Sequence, residues 1–192
     1  MNVNVYNSVI IAPCKCGTRF LDSICNSVEY TSERDIFKNV KWKGFAGYII
    51  YREPYDWMVS ALHTEIVNRK EHEGIGDILE RFLREGGTTH YSDTIFKQMW
   101  EWLSTNRKCK GIPLSQLSKL LRTLGIESSE AWKNEDWSFL HVGHAWISKE
   151  DIVKEIQRDY PIEWEWLNAI VKDEKVYWNR IVNWEWKEIK LL

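Results

Sequence analysis

Residues 13 to 19, Pro-Cys-Lys-Cys-Gly-Thr-Arg, put a lysine, a glycine, a threonine and two cysteines within seven positions. Two chemistries could use that set. The first is an anion cradle. An apolar run ends here and an amphipathic helix follows, so the helix's unpaired N–H groups and positive dipole end would face the turn. Gly17 allows close backbone approach, Thr18 adds a hydroxyl donor, and Lys15 adds a mobile charge. The second is a pair of metal-binding thiolates. Cys14 and Cys16 are spaced C-x-C, not C-x-x-C, and no second Cys/His pair stands at structural zinc spacing. His141 and His144 have no register fixed to them. Reduced thiols beside a turn are the better reading, and no metal is expected. The turn is also not a Walker A loop, because the lysine precedes the glycine and G-x-x-x-x-G-K-[ST] is absent. A nucleoside triphosphatase or ordinary kinase is therefore disfavoured.

The elements around the turn read as strand, turn, helix, twice over. Residues 3 to 12 are rich in β-branched side chains and end at Pro13, which predicts one buried strand. Phe20, Leu21, Ile24, Cys25 and Val28 share one helical face, so a helix is expected from 18 to about 28. "FAGYIIYR", residues 45 to 52, predicts a second central strand. It hands over to a helix with Pro54 near its first position and Trp57, Met58, Ala61, Leu62 and Ile66 facing inward. That order points to α/β with parallel strands.

The second half reads as mostly helical. Ile78, Leu79, Phe82 and Leu83 share a face that a glycine pair terminates. Ser92 is placed to cap a helix bearing Ile95, Phe96, Met99 and Leu103. "PLSQLSKLLRTLGI" should be a helix beginning at its proline and ending near Gly125. "WSFLHVGHAWI" is strand-like, and Ser148 with Asp151 gives capping-box spacing for the helix after it. The fold class expected is α/β, a P-loop-like parallel sheet flanked by helices with a helix-rich second half.

Composition narrows the class of protein further. The chain has 192 residues, suited to a single domain across 1–192. No linker, repeat or low-complexity tract interrupts it. With 26 basic and 28 acidic side chains the net charge is −2, against a dedicated nucleic-acid binder. No run reaches ~18 apolar residues, so no membrane span is expected. The N-terminus lacks a signal peptide's basic region, which predicts a cytoplasmic protein. Four unevenly spaced cysteines suggest no disulfide framework. Twelve tryptophans are unusual for this length; most should pack the core, and a few could line a site for a planar ring or sugar.

The turn resembles the 5′-phosphosulfate-binding loop of sulfotransferases, in which a first strand runs into P-K-S-G-T-T or, in the glycan-modifying branch, K-G-G-T-R. Here "KCGTR" matches the second form at all but one position, with Cys16 in a small-residue slot. A second stretch strengthens the resemblance. The family's 3′-phosphate element is a strand ending in arginine, then D/N-P, with a serine eight residues after the arginine. This chain has "YIIYREPYDWMVS": Arg52, Glu53, Pro54 and Ser60. An arginine leaving the carboxyl end of a strand stands where α/β ligands bind. Ser60, two turns into the next helix, points back towards the helix start. Both could then hold one phosphate, the arginine by a charge-assisted fork. Segments 88–103 and 141–156 are looser echoes, and the Lys/Arg- and glycine-rich closing loop common in the family has no glycine here, where Lys172, Lys175 and Arg180 could substitute.

The resemblance implies transfer of a sulfuryl group from 3′-phosphoadenosine 5′-phosphosulfate (PAPS) to a hydroxyl or amine, with PAP as product. Lys15, Cys16, Gly17, Thr18 and Arg19 would hold the 5′ end, and Arg52 with Ser60 the 3′-phosphate. Lys15 would also neutralise charge on the leaving phosphate. Trp57 or Trp42 could stack on adenine, although either is more simply a core residue. The acceptor needs a base. Glu29, Glu33 and His63 are the candidates. Glu33 is preferred because Glu29 would sit at the end of the first helix, and His63 is the main competitor. The acceptor implied is a small molecule or glycan. Two rivals remain: a non-catalytic module that holds PAP, and a Mg²⁺-dependent small phosphotransferase.

Overall fold

The structure, a computed structural model, describes residues 2–5, 8–18, 21, 28–29, 46–69, 72–88, 91–106, 108–126 and 147–184. A five-stranded sheet has the spatial order β3-β1-β2-β4-β7. Its strands are β1 (Asn2–Val5), β2 (Ser8–Ile11), β3 (Val28–Glu29), β4 (Ala46–Tyr51) and β7 (Cys109–Pro113). β2, β4 and β7 run parallel, with Ile11 opposite Ile49 and Ile49 opposite Gly111. Helices flank this three-strand parallel core, so the fold is α/β. β1 is antiparallel to both its neighbours. A separate two-stranded ribbon joins β5 (Gly87–Thr88) to β6 (Tyr91–Ser92).

Three expectations from the sequence change here. The single strand read over residues 3 to 12 is two: Val5 stands opposite Ser8 and Asn2 opposite Ile11. β-branched residues on both sides of residues 6–7 gave no break that composition alone could reveal. Val28, read as the end of the first helix, belongs instead to β3, where it pairs with Val3. The third parallel strand, β7, was missed altogether. "CKGIP" has one β-branched residue, a lysine, a glycine and a proline, so its local propensity is poor. Its pairing with β4, not its composition, makes it a strand.

The helices are α1 (Pro54–Arg69), α2 (Ile75–Glu85), α3 (Ile95–Thr105), α4 (Leu117–Thr123), α5 (Lys149–Asp159) and α6 (Pro161–Val182). The inward face expected of α1 is buried throughout: Trp57, Met58, Ala61, Leu62 and Ile66. Trp57 meets Tyr91 and Phe96 edge-on, which ties α1 to the ribbon and to α3. α2 stops where the glycine pair predicts, with Gly86 left-handed at φ 68°. α3 carries its expected face, Ile95, Phe96, Met99 and Leu103, all buried. Its cap is not the one expected. Ser92 lies in β6, and the Phe96 N–H donates instead to the Glu174 carboxyl from α6, at 2.7 Å. α4 starts later than its proline, because Pro113 ends β7 and Leu114–Gln116 form a short 3-10 turn between them. α5 opens with Ser148, whose hydroxyl accepts the Asp151 N–H at 3.1 Å. None of the helices in the described residues is long and apolar enough to cross a membrane. The strand-like segment 137–147 and the first helix lie almost wholly outside the described residues.

Candidate functional site: a cationic crevice at the carboxyl edge of the sheet

β2 and β4 are parallel neighbours, so their carboxyl ends open side by side. The chain leaves β2 through Ala12 and Pro13, both buried, and the Cys16 N–H closes a turn onto the Pro13 carbonyl at 3.0 Å. Lys15 adopts φ 63° and Gly17 φ 80°; among the described non-glycine residues, Lys15 alone has positive φ. Alternating backbone handedness of this kind turns successive N–H groups towards one side, making an anion-binding concavity. A lysine in the left-handed region costs on the order of 1 kcal/mol, and such strain collects at functional turns. The next helical bond, Leu21 N–H to Gly17 carbonyl at 3.0 Å, begins directly behind it.

Gly17 is required twice over. Its φ disfavours any side chain, and a Cβ there would stand 2.7 Å from Leu117 Cδ2 and 3.1 Å from Leu114 Cδ1. The turn is therefore pressed against the segment that follows β7. Cys16 is wholly buried, which suits a small-residue position, and Cys14 is half-buried. Among the described residues no three His, Cys, Asp or Glu side chains group as a metal site.

Arg52 follows β4 and joins the two sequence motifs. Its Nη1 donates to the Lys15 carbonyl at 3.2 Å and to Ser60 Oγ at 3.3 Å. Ser60 is buried, and by accepting from Arg52 its hydroxyl keeps its own proton free for an outside acceptor. The nearby acids do not neutralise the arginine. Glu53 pairs with Lys175 of α6 at 3.0 Å and accepts the Asp56 N–H at 3.2 Å, as a cap for α1. Among the described residues Arg52 has no carboxylate partner.

The base candidates fare differently. His63 is half-buried on α1, and its Nε2 lies 3.0 Å from the Ile147 carbonyl. A carbonyl only accepts, so Nε2 carries the proton and Nδ1 is the nitrogen left for a base. Glu33 and Arg19 lie outside the described residues, as does Trp42. Glu29 was set aside as a helix-end residue, but its backbone is in β3. There it pairs with Asn2, which in turn pairs with Ile11, the last residue of β2. The reason for setting it aside therefore fails. Trp57 is wholly buried among Tyr91 and Phe96, so it is a core residue and is not available to stack on a ring.

The carboxyl-terminal lysines and arginine that could have closed over a ligand sit on α6. Lys175 holds Glu53, and Arg180 lies over the Tyr177 and Trp100 rings at 5.5 and 5.9 Å. A different cation comes close to the crevice. Lys149 opens α5, just after Ile147 meets His63. Burial first, then the like charge of Arg52, pushes its ammonium below the ordinary lysine range, against smaller upward pulls from Asp56 and Glu150. In the sequence, residues 148–151 mark a capped helix start and nothing more. Nothing local in the sequence marks a proximity that only the packing of α5 on α1 creates.

The sequence matches no family model and no curated protein. Among solved structures, mouse sulfotransferase SULT7A1 complexed with PAP resembles the fold, with a TM-score of 0.37 and 14% identity. That match spans 83% of this chain and 87% of the mouse chain. At such distance the likeness fixes neither cofactor nor activity.

Proposed function

We propose that the chain is a sulfotransferase that takes its sulfuryl group from PAPS and delivers it to a hydroxyl or amine of a small-molecule or glycan acceptor. The observation that carries this reading is Arg52. One guanidinium, unpaired with any described carboxylate, bonds both the serine eight residues on and the backbone of the Lys15 turn. A ligand with two phosphate-type groups suits that arrangement: one in the left-handed turn, the other against Arg52 and Ser60.

In this reading PAPS supplies the sulfuryl group on a 5′-phosphate leaving group. The Lys15–Thr18 backbone, with Arg19, orients the 5′ end, while Lys15 meets the charge that builds on the leaving phosphate. Arg52 and Ser60 hold the 3′-phosphate far from the reacting bond, so they position the nucleotide and do not stabilise transfer. The acceptor's oxygen or nitrogen attacks sulfur as the sulfur–oxygen bond to the phosphate breaks, and its proton passes to a base. Glu33 remains the preferred base, with His63, through Nδ1, and Glu29 as competitors.

The test is direct. PAP should raise the thermal midpoint in proportion to its concentration over Kd, and adenosine should do far less. Label from [³⁵S]PAPS should reach an acceptor mixture in the presence of EDTA. PAP binding without any transfer would leave a nucleotide-holding module, and stabilisation by ATP with Mg²⁺ but not by PAP would indicate a phosphotransferase.

A further inference from the structure

Beside Ser60 the crevice has two cations, Arg52 and Lys149, where the second sequence motif supplies one. α5 packs on α1, and the His63–Ile147 bond at 3.0 Å pins the chain two residues before Lys149 onto α1. Arg52 is held by Ser60 and the Lys15 carbonyl. Neither Arg52 nor Lys149 has an ion-pair partner among the described residues. Glu53 is occupied by Lys175, Asp56 and Glu150 act on Lys149 without forming an ion pair with it, and Asp151 lies 3.9 Å from Lys154 and bonds Ser148. Two like charges held together in a partly buried place raise the free energy of the empty protein. An anion between them would remove that cost.

We propose that Lys149, at the first position of α5, is a third grip on the same phosphate as Arg52 and Ser60, and that it sets the preference for a 3′-phosphorylated nucleotide. This rests on the function proposed above. α5 would then close over the ligand where Lys175, paired with Glu53, and Arg180, stacked on the Tyr177 and Trp100 rings, are engaged elsewhere. The depressed ammonium of Lys149 agrees with this placement, because its largest charge perturber is Arg52. A phosphate dianion would oppose that perturbation.

Calorimetric titration with PAP and with adenosine 5′-phosphate tests the proposal. The two ligands differ in the 3′-phosphate alone. Lys149→Met keeps the aliphatic stem and removes the charge. It should weaken PAP about ten- to a hundred-fold, as the loss of one charge-assisted bond does, and leave adenosine 5′-phosphate unchanged. Lys149→Arg should recover most of the preference. The plot of log Kd for PAP against log salt should also be shallower in Lys149→Met. A second readout needs no variant: PAP should protect Lys149 from an amine-directed reagent, and adenosine 5′-phosphate should not. If wild type and Lys149→Met prefer PAP equally while Arg52→Ala loses the preference, Lys149 is not a grip and the proposal falls alone. If wild type shows no preference for PAP, the sulfotransferase reading falls and takes this one with it.

Discussion

Two regions of the molecule place a charged side chain at a helix start in partly or wholly buried surroundings, and they resolve it in opposite ways. Where α3 meets α6, Glu174 is almost fully buried and accepts the Phe96 N–H at 2.7 Å. Burial, with Asp93 and Asp173 nearby, pushes its carboxyl up to about 8, so near neutrality it is largely protonated and the charge is gone. At the carboxyl edge of the sheet, the charge of Arg52 bears on Lys149, and neither has an ion-pair partner among the described residues. Lys15 at positive φ adds strain in the same place. One region is completed by the chain itself. The other is left for a ligand to complete, which is how a binding site differs physically from a scaffold.

The sharpest way to separate the two is Lys15→Ala. If the crevice exists for transfer, Lys15 meets charge present chiefly in the transition state, so kcat should fall about 10²- to 10³-fold while PAP affinity changes much less. Stopped assays at saturating PAPS, alongside PAP titration, would read both. Equal losses in binding and turnover would make Lys15 a simple phosphate ligand.

Glu174 provides the contrasting measurement on the scaffold. Its folded carboxyl holds a proton more tightly than the unfolded one, whose ordinary value is 4.5. Between those values the folded state binds more protons, so stability must fall as pH rises. The contribution is complete below the unfolded value and lost as pH passes the folded one, near 8. From pH 5.5 to 8 the loss due to this group is on the order of 3 kcal/mol as an upper bound. Glu174→Gln keeps an oxygen for the Phe96 N–H and removes the titration. Urea unfolding at the two pH values should show a smaller fall in the variant than in wild type; parallel curves would mean Glu174 is ionised in the fold.

Gly17→Ala tests binding and packing at once within the crevice, since the turn is both cradle and packing surface. The added Cβ meets buried Leu117 at 2.7 Å and takes a left-handed backbone. We expect about 2 kcal/mol of lost stability, together with weaker PAP binding. Denaturant midpoints should show it. Loss of binding with unchanged stability would mean that the turn adapts without touching Leu114 and Leu117.

The sequence carried the crevice further than it carried the scaffold, for a physical reason. Arg52 and Ser60 are eight residues apart on one strand–helix unit, so local geometry alone brings them within reach. The same holds for the buried face of α1, read correctly from its periodicity. β7 was invisible because its strand character comes from Ile49 and its neighbours on β4. The acceptor for the Phe96 N–H comes from a residue 78 positions away, which no local pattern around Ser92 can reveal. Val28 was assigned to a helix because its apolar spacing fitted one, and pairing with Val3 overrode that spacing. Lys149 was missed for the same reason as Glu174. Each gains its meaning from a contact between elements far apart in sequence.

The smallest expected effect is the one whose sign matters most. Removing a buried, bonded side chain usually destabilises, and Arg52 bonds both Ser60 and the Lys15 carbonyl. Each such bond has a modest net worth, and both here are long, at 3.2 and 3.3 Å. Against them stands repulsion with Lys149, which Asp56 and Glu150 oppose without forming an ion pair. Arg52→Gln keeps a donor for Ser60 or the carbonyl and deletes the charge. Without ligand, its stability should lie within about 0.5 kcal/mol of wild type, on the stabilising side. Raising salt should shrink the difference, because screening already weakens the repulsion in wild type. With saturating PAP the order should invert, wild type gaining more than the variant because only it places both cations on the phosphate. Thermal midpoints of both proteins, with and without PAP at low and high salt, decide the matter. A clear loss of stability in the ligand-free variant would mean that Arg52 is part of the scaffold, and that the contrast between the two regions is false.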